Sequence, residues 1–98
     1  MAKVIHKFLL RKRGEVCTIK LPKDAVVTRI GVQDGSPFAW VMVDPDAPYN
    51  AAVEFLVVWT GDKIPDGFWP LCTFDADGLV YHGLTRYSAG LVASGVPA

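Results

Sequence analysis

Several stretches of this chain alternate apolar and polar residues with a period of two, the pattern of strands buried on one face. Val4–Leu10 gathers β-branched and large apolar residues around Lys7. Val16–Leu21 sets Cys17, Ile19 and Leu21 on one face and Val16, Thr18 and Lys20 on the other. Arg11-Lys12-Arg13-Gly14 between them has hairpin-loop length and ends in glycine, so these two strands are expected to pair with each other. After a turn at Pro22-Lys23-Asp24, Ala25–Gln33 alternates again, and Gly31 inside it is expected to mark a bulge or a close approach of backbone. Asp34-Gly35 then favours two residues at positive φ, the chemistry of a tight hairpin.

Pro37–Val43 breaks the alternation by being apolar on both faces, which predicts a central strand covered on both sides. Asp44-Pro45-Asp46 ends it, since proline brings no N–H and restricts its predecessor. A loop follows with Tyr49 as its only large side chain. Val53–Thr60 is a second apolar run, interrupted by Glu54, whose valine and aromatic content favours strand over helix. The runs around Trp40 and Trp59 are expected side by side at the centre. Thr60–Gly67 is dense in breakers, and Phe68-Trp69-Pro70 leads into a strand at Leu71–Phe74. Asp75-Ala76-Asp77-Gly78 turns the chain into Leu79–His82, with Cys72 expected opposite Tyr81 and Thr73 opposite Val80. The fold class predicted is all-β, a small antiparallel β-sandwich or barrel of about seven strands. The β domain is expected over 1–83. Residues 84–98 read as a tail, either disordered or docking on a second copy through Leu91 and Val92.

Ninety-eight residues, 51% of them hydrophobic and 20% charged, fit one globular domain. No run of 18 apolar residues is present, which excludes a membrane-spanning helix, and the start lacks the apolar core of an export signal. A cytoplasmic protein with Cys17 and Cys72 reduced is the expectation. Net charge is zero but unevenly spread: Met1–Arg29 carries eight basic and two acidic residues, the remainder two basic and eight acidic. Lysines blunting a sheet edge explain the first segment as well as a contact surface does.

No constellation carries chemistry. Cys17, Cys72, His6 and His82 lack zinc spacing, and the Asp44/Asp46 and Asp75/Asp77 pairs lack the further oxygens calcium needs. Cys72 and His82 could be no better than diagonal neighbours, without an orienting acid. The chain is therefore expected to have no catalytic residues, no metal and no cofactor. Nucleic acid is disfavoured by the near-neutral pI of 6.7. The residues expected to make contacts are the basic tip Arg11, Lys12 and Arg13 and the loop aromatics Tyr49, Phe68 and Trp69.

Several short motifs stand in a distinctive order: Lys7-Phe8, Ile19-Lys20-Leu21-Pro22, Val32-Gln33-Asp34-Gly35, Trp40, Val43-Asp44-Pro45, Trp59-Thr60-Gly61 and Ile64-Pro65. Together they resemble a family of small uncharacterised proteins of bacteriophages, prophages and some bacteria, over about Lys3 to Gly83. Its members tend to carry histidine after Thr-Gly, where this chain has Asp62. The resemblance implies a phage or prophage origin and an all-β fold, and brings no catalytic residues. The functional expectation is a non-catalytic accessory protein that binds a host or defence protein and can self-associate. A virion structural or decoration subunit, and a sponge for a small anionic ligand or nucleotide, are the alternatives.

Overall fold

The computed structural model describes residues 2–87. They form seven strands: β1 (Val4–Leu9), β2 (Cys17–Leu21), β3 (Val26–Gln33), β4 (Ser36–Val43), β5 (Ala51–Trp59), β6 (Trp69–Ala76) and β7 (Leu79–Tyr87). A three-stranded sheet in the order β1-β4-β3 faces a four-stranded sheet in the order β2-β5-β7-β6. Every pairing is antiparallel, and none joins the two sheets, so the fold is a β-sandwich and not a closed barrel.

Two of the turns follow directly from the sequence. Asp34 and Gly35 adopt φ of 53° and 78°, and Asp77 and Gly78 adopt 52° and 78°, the doubly positive geometry that matches strand twist in a two-residue hairpin. The second turn is tighter than expected, because its corner is Asp77-Gly78. The register therefore moves by two, setting Thr73 opposite His82 and Cys72 opposite Gly83.

The expected β1–β2 hairpin does not form. β1 pairs with β4 and β2 with β5, so the two strands lie in different sheets. The link does turn locally, with Gly14 at φ 84° and Glu15 N–H donating to Lys12 O at 3.0 Å. Leu10, only 5% exposed, drops into the core between the sheets and carries the chain across.

The core explains which run is covered on both sides. On β4, Ala39, Val41 and Val43 are buried while Phe38, Trp40 and Met42 are half-buried, so only one face is fully covered. β5 is the strand buried on both faces. Val53, Phe55 and Val57 meet the other sheet, while Leu56 and Val58 pack with Leu84 under Phe68. Trp40 and Trp59 thus sit in opposing layers rather than side by side. β7 continues through Tyr87 with Leu84 and Thr85 buried, so a boundary at residue 83 falls inside a strand. The tail anchors Leu91 and Val92 lie outside the described residues.

Gly31 marks a close approach, but of a side chain: a Cβ there would lie 3.1 Å from Arg29 Nε. The bulge falls just before it, where the β3–β4 register shifts between Val27 and Arg29. Thr28 Oγ1 donates to Trp40 O at 3.1 Å across this irregularity.

Candidate interaction surface

The outward side of the three-stranded sheet is apolar across all three strands. Alternation and register place Ile5 and Leu9 of β1, Phe38, Trp40 and Met42 of β4, and Val26 of β3 together on it. Ile5, Leu9 and Val26 are 57%, 62% and 48% exposed, well beyond scattered surface hydrophobes when gathered on one face. Two cations lie on this face. The Lys7 ammonium stands 4.6 Å from the Phe38 ring centroid and donates to Gln33 Oε1 at 2.7 Å, spanning the sheet from β1 to β3. The Arg29 guanidinium stands 5.5 Å from the centroid of Trp40. None of the three strands contains a carboxylate, so the charge they themselves contribute to this face is positive.

The basic tip is not one free patch. Arg13 is held: its guanidinium lies 3.5 Å from the Trp59 ring centroid, and its Nη1 donates to both Asp62 oxygens at 3.1 and 2.9 Å. Asp62 Oδ2 also accepts the Trp59 backbone N–H at 2.9 Å. That backbone bond first, and Arg13 second, hold the Asp62 carboxyl below the usual carboxylate range. Lys12 pairs loosely with Glu15 at 3.4 Å, an exposed contact worth roughly 0–1 kcal/mol. All three basic residues are exposed, but only Arg13 is fastened by both a ring and a carboxylate.

Phe68 is half-buried and serves as a roof. It covers Leu56, Val58 and Leu84, and the Arg86 guanidinium covers it in turn at 4.2 Å from the ring centroid. Arg86 also donates to Glu54 Oε1 and Oε2 at 2.8 and 3.2 Å and to Asp66 O at 2.8 Å, fastening the 60–68 segment across the sheet. The Arg86 hydrogen bond holds the Glu54 carboxyl below its ordinary value, against the opposing effect of burial. Trp69 belongs to β6, not to a loop, and is 45% exposed opposite Thr85. Tyr49, 37% exposed, precedes the start of β5. The tip meets β5 at Val57 through the Gly14 N–H, roughly 20 Å along the strand from its start. The six residues singled out from sequence therefore do not form one site.

The remaining chemistry-bearing groups are structurally engaged. His82 bridges two hydroxyls, Thr60 Oγ1 at Nε2 (2.8 Å) and Thr73 Oγ1 at Nδ1 (2.9 Å). Cys72 Sγ points away from it, to Ile30 O across the sandwich at 3.8 Å, while Cys17 Sγ lies 4.0 Å from Leu9 O. Both cysteines are free. Among the described residues, no group of three or more His, Cys, Asp or Glu side chains could hold a metal ion, and no helix is long and apolar enough to cross a membrane. A cavity of about 260 Å³ is lined by Leu21, Pro22, Val26, Leu71, Thr85 and Tyr87 among others, residues from both sheets. One of about 430 Å³ lies beside Arg13, Glu15, Asp62 and Lys63, cations and carboxylates together.

The apolar outer face is what sequence reasoning missed. Its signal is present in Pro37–Val43, whose second apolar side lies outside the core because only one layer packs against this strand.

A family model described as a domain of unknown function (DUF7352) matches residues 1–91, nearly the whole chain. No curated protein and no solved structure matches it.

Proposed function

We propose that the chain, which belongs to the DUF7352 family of unknown function, is a non-catalytic protein that works by binding another protein. The observation that carries this reading is the exposed apolar side of β1-β4-β3, on which Lys7 and Arg29 are the only charged side chains that the three strands contribute. Exposed aliphatic side chains fit a partner's apolar strip better than they fit nucleobases, and the cations already lying over Phe38 and Trp40 occupy the ring faces a base would stack on. The partner surface that complements this face is apolar and bordered by carboxylates. The resemblance to phage and prophage proteins supports a phage-encoded accessory role, a host or defence protein as partner, and the bacterial cytoplasm as the place of action.

A virion structural or decoration subunit is the second reading, favoured by the same face, because subunits of an assembly bury such surfaces against each other. The anionic-ligand sponge has less support, since Arg13 is engaged by Asp62 and the neighbouring cavity carries carboxylates.

The test is co-purification of tagged protein from infected cells. An Ile5→Ser/Leu9→Ser chain should lose the partner while keeping its fold, and a chain with Arg11 and Lys12 reversed to glutamate should keep it. Retention of the partner by the first variant, or its loss with the second alone, overturns the proposal. Stoichiometric presence in purified virions selects the second reading.

A further inference from the structure

The four edge strands of the sandwich are β1, β3, β2 and β6. An open edge is a template for another strand unless something interrupts it. β3 carries the irregularity at Thr28, and β6 carries Pro70 with a register shift beside it. β2 is the shortest strand, five residues with Lys20 exposed. β1 has six residues, neither proline nor bulge, and four apolar side chains, with Lys7 as its single deterrent. It is the least protected edge among the described residues.

We propose that a second copy of this chain adds to the free edge of β1, antiparallel, with the twofold axis at His6. The register follows from elementary geometry. Residues opposite each other in an antiparallel pair share a face, so a symmetric pairing must be centred on a residue and not between two. Near the middle of β1 the choices are His6 and Lys7. Centring on Lys7 sets two ammoniums directly opposite, which is destabilising. Centring on His6 sets Val4 against Phe8 and Ile5 against Lys7, so that each lysine stem lies along an isoleucine. The product is one six-stranded sheet, β3-β4-β1-β1-β4-β3, in which the two apolar outer faces become continuous. The cations disfavour the other self-pairing, face on face, because it would bring Lys7 and Arg29 against their own copies. This inference stands independently of the partner reading: a monomer would still present one face.

The register makes opposite demands on Ile5, which is exposed enough to accept either charge without disturbing the fold. Ile5→Glu places a carboxylate opposite Lys7 of the other copy, twice per dimer; Ile5→Lys places an ammonium there. Relative to Ile5→Gln, sedimentation velocity should show the dimer tightened roughly two- to thirty-fold by glutamate and loosened by as much with lysine. Oxidation of His6→Cys should give a covalent dimer on a non-reducing gel, while Lys7→Cys and the unaltered chain, with its native Cys17 and Cys72, should not. A chain that stays monomeric at millimolar concentration overturns the proposal. So does a dimer indifferent to the charge at residue 5, or one crosslinked through residue 7 in preference to residue 6. Should His6→Cys lose its β-sheet dichroism, the Ile5 series decides alone.

Discussion

Gly83 of β7 faces Ile30 of the opposite layer with no room for a side chain between them. A Cβ built on it would lie 2.8 Å from Ile30 Cδ1 and 3.0 Å from two further atoms of that side chain. Ile30 is itself 1% exposed and has little room to yield. Gly83→Ala should therefore destabilise by about 1–3 kcal/mol in urea unfolding, as overpacked cores do, and Ile30→Val in the same chain should return part of the loss. At Glu54 the effect is one of pH. Arg86 lowers the carboxyl pKa in the folded chain from its ordinary 4.5, so the unfolded chain binds the proton more readily. The stabilisation is complete above that ordinary value and is lost as pH falls through the depressed one. Asp62 acts in the same direction through Trp59 and Arg13. Unfolding free energy measured between pH 6 and 3 (a range set by the carboxylates) should fall less steeply in Glu54→Gln than in the unaltered chain, without becoming flat.

Strands were legible in the sequence wherever local chemistry decides them. The Asp34-Gly35 and Asp77-Gly78 corners are dictated by two residues each, and both hairpins form. The β1–β2 connection was not legible, because Arg11–Gly14 says that the chain turns and nothing about which layer it enters. Burial of Leu10 settles that, and burial is a property of the whole sandwich. The same limit hid the outer face: periodicity shows that both sides of Pro37–Val43 are apolar but cannot count the layers available to cover them. Phe68 illustrates the converse, a residue in a breaker-rich segment that proves to be a roof over Leu56, Val58 and Leu84. Phe68→Ala should cost about 1.5–3 kcal/mol and make the 60–68 segment a preferred site of limited proteolysis, since Arg86 would then fasten it by polar contacts alone.

The whole molecule is stitched by crossings. The chain visits the sheets in alternation, β1 in one, β2 in the other, β3 and β4 back in the first, and β5, β6 and β7 in the second. Only two of its five pairings are hairpins between consecutive strands; β2 must find β5, with Cys17 opposite Phe55. Such non-local pairing places folding in the range of milliseconds to seconds, which stopped-flow fluorescence of the tryptophans should record. A faster phase accounting for the full amplitude would contradict this topology. The order of the strands also matters while the polypeptide is being made. Once residue 43 has left the ribosome, every strand of the first sheet is present, yet its greasy underside has no lid. β2 waits unpaired beside it until the β5 stretch emerges from the exit tunnel. Newborn chains of this protein thus pass through an interval of exposed stickiness, in which a chaperone would do the most good and a slowed codon the most harm.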